Sequence, residues 1–180
     1  MVLVDSVLPL QIEDLGGSRS FSGLTTLFSI CGGIPVFWFS KKIFLRSGGG
    51  WQMLRLAMLI IMIRLPFLSF FIVTKSDLWK ILPIQFFHGT TFALLWCGAT
   101  DYLQSHAPSN ITASTQTILS TCYFTLGQGF GNVFWMSIYS WGPRSLYVAG
   151  ALITSIVYVL CDGAAAAGEI GRGRLERSDS

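Results

Sequence analysis

The residues able to do chemistry in this chain are few: Arg64, Gln85 and His88 inside apolar stretches, with Gln116, Gln128 and Asn132 as weaker candidates of the same kind. An ionisable group surrounded by lipid is costly and faces either a polar cavity or a partner. Counted from the outer ends of their apolar stretches, Arg64 lies roughly 12 Å deep, and Gln85 and His88 roughly 10 and 15 Å deep. Gln85 and His88 are three apart and share a helix face. If their helices are neighbours, Arg64, Gln85 and His88 can line one polar cavity, in which His88 alone titrates near neutral pH. The same three residues could instead form an interhelical hydrogen-bond cluster that only holds the bundle together. Arg55 lies close enough to an interface to reach it by snorkelling.

Enzymatic chemistry has little support. His88 and Asp101 form the only His/carboxylate pair on one apolar stretch, about three and a half helical turns apart, too far for a base and its orienting partner. Ser/His/Asp, paired-carboxylate, HExxH and phosphate-loop patterns are absent from the sequence. Cys31, Cys97, Cys122 and Cys161 are too scattered for a zinc pattern, sit inside apolar stretches and read as buried free thiols. No catalytic residue, metal site or cofactor is expected. A net charge of +3 without a dense basic patch speaks against nucleic acid as a partner.

The elements that position these residues follow from composition. Of the 180 residues, 52% are hydrophobic and 12% charged, against about 25% charged in soluble chains, and mean hydropathy is +0.59. The excess apolar surface must face lipid, the first expected partner. The acidic N-terminal stretch does not have the basic start of a secretory signal. A bilayer core needs about 20 apolar residues of helix, and five stretches approach this: about 21–40, 51–73, 78–100, 117–139 and 145–161. The reading is an all-α membrane protein with about five transmembrane helices. Residues 1–20 form an extracytoplasmic N-terminal segment, 21–161 the bundle and 162–180 a polar cytoplasmic tail. Gly127, Gly129 and Gly131 in the fourth span permit close approach of a neighbouring helix; the other reading is a locally weakened helix. Cytoplasmic flanks retain Lys and Arg. Lys41, Lys42, Arg46, Arg55, Arg172, Arg174 and Arg177 outnumber Arg19, Lys75, Lys80 and Arg144 on the opposite side, which puts the N-terminus outside and the C-terminus in the cytoplasm. The sequon Asn110-Ile111-Thr112 then faces the cytoplasm and reads as a chance match.

The order of several short motifs resembles the C-terminal half of a major facilitator superfamily transporter, within the MFS-associated, lactose-permease-like (major facilitator superfamily domain-containing protein six-like) group. The matching stretches are Glu13 to Ser18, Ile34-Pro35-Val36-Phe37, Phe39-Ser40, Arg64, Leu82-Pro83-Ile84, His88 to Phe92, Ala107-Pro108, Gln116 and Leu126 to Gly131, over about residues 13–150. The resemblance implies that the five spans are helices eight to twelve of a twelve-helix fold, in agreement with an outside N-terminus. It also implies that the loop from Lys41 and Lys42 to Gly48 is a second copy of the family's cytoplasmic gating loop, although an ordinary positive flank reads the same way.

Departures from the family pattern are informative. The pattern has Glu where this chain has Gly33, and again where it has Gln85, so two membrane acids are replaced and carboxylate-based proton coupling is not expected in this half. Helices one to six and most of helix seven are absent, and Met1 to Ile12 are apolar enough to be the outer end of helix seven. Because such a pathway lies between two halves, the chain is expected to be inactive alone and to need a missing N-terminal half or a second chain. The function expected is partial secondary-active transport of an unknown small solute. The alternative is a non-transporting multi-pass membrane protein with a binding, receptor-like or assembly role.

Overall fold

The computed structural model describes residues 1–72, 74–106, 108 and 112–178, and among these it is helical with no strand. The helices are α1 (Val2–Asp14), α2 (Arg19–Ser47), α3 (Gly50–Phe71), α4 (Ile81–His106), α5 (Thr112–Ser120), α6 (Gln128–Ser137) and α7 (Pro143–Ser178). A 3-10 turn, Lys75–Lys80, leads into α4, and a π-helical segment, Thr121–Gly127, joins α5 to α6. Asn110 and Ile111 of the sequon lie outside the described residues.

Among the described residues four helices are long and apolar enough to cross a membrane: Arg19–Ser47, Gly50–Phe71, Lys75–His106 and Pro143–Gly163. The sequence reading has five. The difference lies in 117–139, where α5, the π segment and α6 run on as three helical pieces, none of which reaches span length by itself.

Residues 1–20, set apart from the bundle on sequence grounds, contain α1. Its buried residues Leu3, Val4, Val7, Leu8, Gln11 and Ile12 recur at helical spacing. They join Ile61, Leu65 and Leu68 of α3, Ile81 of α4, and Leu146 and Tyr147 of α7 in the larger core cluster. A second cluster, Val36, Met53, Ala57, Ala93 and Leu94, ties α2, α3 and α4 together. Much of the exterior is apolar, with Trp38, Leu45 and Phe130 among its most exposed residues. Cys31 and Cys122, expected to be buried, are exposed with it because their positions on α2 and the π segment face away from the packed helices. Such a surface is stable in lipid and not in water.

Two backbone contacts set the helix positions. A Cβ on Gly32 would come within 1.9 Å of the Phe86 carbonyl oxygen, and one on Gly89 within 1.6 Å of that of Ser29, so α2 and α4 touch main chain to main chain. The Thr90 hydroxyl donates across the same seam to the Gly32 carbonyl at 3.0 Å. At the other end of α4, Gly50 and Gly98 allow a close but looser approach to α3, a Cβ on Gly50 coming within 2.6 Å of the Gly98 carbonyl oxygen. Helix α7 runs antiparallel to α3: Ser69 donates to the Arg144 carbonyl at 3.1 Å, while Arg55 pairs with Asp162 at 3.0 Å at the opposite end.

The turn between α2 and α3 is shorter than the sequence implies. Lys41 and Lys42 belong to α2, which continues to Ser47 because nothing from Lys41 to Arg46 breaks a helix. The chain reverses at Gly48 and Gly49, with φ of +88° and +120°, conformations that L side chains rarely adopt.

Candidate functional site

The site grows from one acidic residue on the short first helix. Asp5 lies within the apolar stretch MVLVDSVLPL, beside the buried face of α1 rather than on it, and its side chain is 45% exposed. It reaches His88 of α4, whose Nε2 lies 2.9 Å from the Asp5 Oδ1. His88 is buried, and its Nδ1 meets no partner among the described residues. With Asp5 ionised, Nε2 carries the proton and donates, so the carboxylate fixes both the tautomer and the ring plane.

Arg64 of α3 completes the cluster. It is 4% exposed, lies within electrostatic reach of Asp5, and donates from Nη2 to the Met1 Sδ at 3.9 Å. Its Nε and Nη1 have no acceptor among the described residues. A guanidinium and a carboxylate in one low-dielectric region compensate each other in a way that neither does alone. A guanidinium, an imidazole and a carboxylate, from three helices, are therefore gathered at one level of the bundle.

Asp5 and His88 open into a cavity of about 410 Å³ between α1, α2, α4 and the segment Thr121–Gln128. Aromatic rings form much of its wall: Phe37, Phe92, Tyr123 and Phe124. Tyr123 packs on Phe92 and Trp96 at centroid distances of 5.9 Å and on Phe124 at 4.9 Å. Tyr123 and Phe124 both lie on the π-helical segment, a departure from α geometry that recurs at functional sites. The residues here can exchange a proton or bind a charged solute. Among the described residues, no group of three His, Cys, Asp or Glu could hold a metal ion.

The sequence-predicted residues divide on inspection. Arg64 and His88 converge on Asp5. Gln85 is buried on the same helix with its Oε1 unpartnered among the described residues, yet it does not line the Asp5–His88 cavity. Arg64 itself borders a different, apolar cleft between α3 and α4, with Ile60, Phe67 and Phe87. Gln116 is exposed and lines a third cleft with Lys41, Thr100 and Asp101, so it does not share the His88 site. Lys41 and Lys42 are exposed on α2, and Gly48 caps that helix.

Of the three expected packing glycines, Gly131 approaches the Val2 side chain, Gly127 meets only its own helix at Cys122, and nothing lies within 4 Å of Gly129. The close helix-to-helix backbone approaches fall at Gly32 and Gly89 and, less tightly, at Gly50 and Gly98. Asp5 is the candidate site residue that sequence reasoning missed. The available signal was a single acid inside an otherwise apolar run, passed over because that run is too short to span.

No solved structure matches this chain. The model of the family described as MFS_1 like matches residues 3–149 and therefore takes in α1 and its Asp5 as well as the helices that carry Arg64 and His88. A match over that much of the sequence means that the chain belongs to the MFS_1 like family, whose type of function is transport rather than catalysis.

Proposed function

We propose that this bundle is the C-terminal half of a major facilitator type secondary transporter, of the lactose-permease-like kind, and that Asp5, His88 and Arg64 form its solute and ion site. The observation that carries this reading is the Asp5–His88 pair at 2.9 Å, with Arg64 beside it, opening into a cavity built from four elements. In lipid, such a group of charges is maintained for a pathway or a relay. The second wall of the pathway comes from another half, whether attached to this chain or separate, and the helices described here do not move solute without it. The loss of two membrane acids at Gly33 and Gln85 does not leave this half without a carboxylate, because Asp5 supplies one from α1.

The Lys- and Arg-bearing end of α2 and its turn into α3 face the cytoplasm in this account, as does the end of α7, and the α1 to α2 turn faces outward. Cytoplasmic retention of Lys41, Lys42, Arg46 and Arg55 supports this orientation.

A test keeps every attached or separate partner present by editing the native locus to His88→Ala. At equal membrane abundance, at least one small solute changes its distribution between cells and medium in the edited line. An unchanged solute profile contradicts the proposal.

A further inference from the structure

The Asp5–His88 cavity also carries information about what it binds, and the argument rests on the transport reading above. Its lining presents one formally charged acid, Asp5, while among the described residues it contains no Lys or Arg. Arg64, the nearest strong cation, is 4% exposed and borders the separate α3–α4 cleft. A solute in the cavity therefore meets the carboxylate directly and the guanidinium only through intervening protein. The Asp5 side chain is 45% exposed even while paired with His88, so carboxylate surface remains available for a second partner.

Phe37, Phe92, Tyr123 and Phe124 line much of the remaining wall, beside Ile30, Ile34 and the neutral polar side chains of Ser29 and Gln128. Phe37 and Phe124 are 43% and 47% exposed, leaving ring surface free, and the Tyr123 ring is held in place by Phe92, Trp96 and Phe124. Aromatic faces carry negative electrostatic potential, attract cations and repel anions. A carboxylate and several rings around about 410 Å³ match a small ligand in size.

We propose that this cavity recognises a small organic cation, an ammonium or amine group bound to an apolar or aromatic body, with Asp5 taking the positive end and Phe37, Tyr123 and Phe124 surrounding it.

The test uses the purified full-length chain in lipid nanodiscs and three probes of similar size: phenyltrimethylammonium (cation), phenylacetate (anion) and 2-phenylethanol (neutral). Binding is followed by equilibrium dialysis. Phenyltrimethylammonium binds at least about tenfold more tightly than the other two, and Asp5→Asn removes that preference while Asp5→Glu retains most of it. Phe124→Leu, which leaves the Asp5–His88 pair untouched, weakens the cation by about threefold to tenfold. Phenylacetate binding as tightly as the cation, an Asp5→Asn variant with undiminished cation binding, or no binding of any probe would each overturn the proposal. The two readings fail separately. If His88→Ala changes solute distribution in cells but the cation does not bind, transport stands and the cation assignment falls. If the cation binds and no solute distribution changes, the binding site stands and transport falls.

Discussion

Asp5 and His88 show how a charge is kept inside an apolar bundle: the carboxylate stays at the cavity edge, and the imidazole is buried behind it. Removing either leaves the other without its hydrogen-bond partner, a large effect in a low-dielectric setting. A second buried polar pair is structural. The Tyr147 hydroxyl donates to the Gln11 Oε1 at 2.8 Å, and Gln11 Nε2 donates to the Ile72 carbonyl at 3.3 Å, linking α1, α3 and α7. Tyr147→Phe strands the Gln11 oxygen and is expected to cost about 1–3 kcal/mol, seen as a lower melting temperature in nanodiscs; an unchanged melt refutes the role. Arg64 and His88 were legible in the sequence because an ionisable residue stands out within a long apolar stretch. Asp5 was not, because its significance depends on α1 folding back into the bundle.

Among the elements, α2 and α4 are held by contact of their backbones at Gly32 and Gly89. Gly89→Val forces side-chain atoms against the Ser29 carbonyl and is expected to destabilise by at least about 1–3 kcal/mol, measured as thermal unfolding. Gly129→Ala meets nothing within 4 Å and is expected to stay within about 0.5 kcal/mol of the parent. Equal losses in both variants would contradict the assignment of the seam. The spans at α2, α3, α4 and α7 were legible from hydropathy alone. Which glycines pack was not, because that depends on the rotation of each helix toward its neighbour, and several glycines in a row carry no information about facing. The π segment had no readable signal either: nothing in the residue types from Thr121 to Gly127 marks it, while its Tyr123 and Phe124 contact Phe92 and Trp96 of α4.

At the scale of the whole molecule, an exposed apolar exterior surrounds a small charged interior, the arrangement expected of a protein solvated by lipid. Orientation is testable on intact cells. With the four cysteines replaced, Ser105→Cys near the end of α4 is expected to resist a membrane-impermeant thiol reagent until the cells are permeabilised. Labelling from outside would reverse the topology. The central claim is that Arg64 serves the solute pathway and not merely the stability of the bundle. The most direct measurement compares Arg64→Ala with Arg55→Ala, each introduced at the native locus and matched for membrane abundance, by following the distribution of solutes across the membrane. Arg55 pairs with Asp162 near the far end of α3, where a partly exposed ion pair contributes about 0.2–1 kcal/mol. The account predicts that Arg64→Ala abolishes the solute movement that Arg55→Ala preserves; equal solute distributions in the Arg64→Ala and parent lines would contradict it.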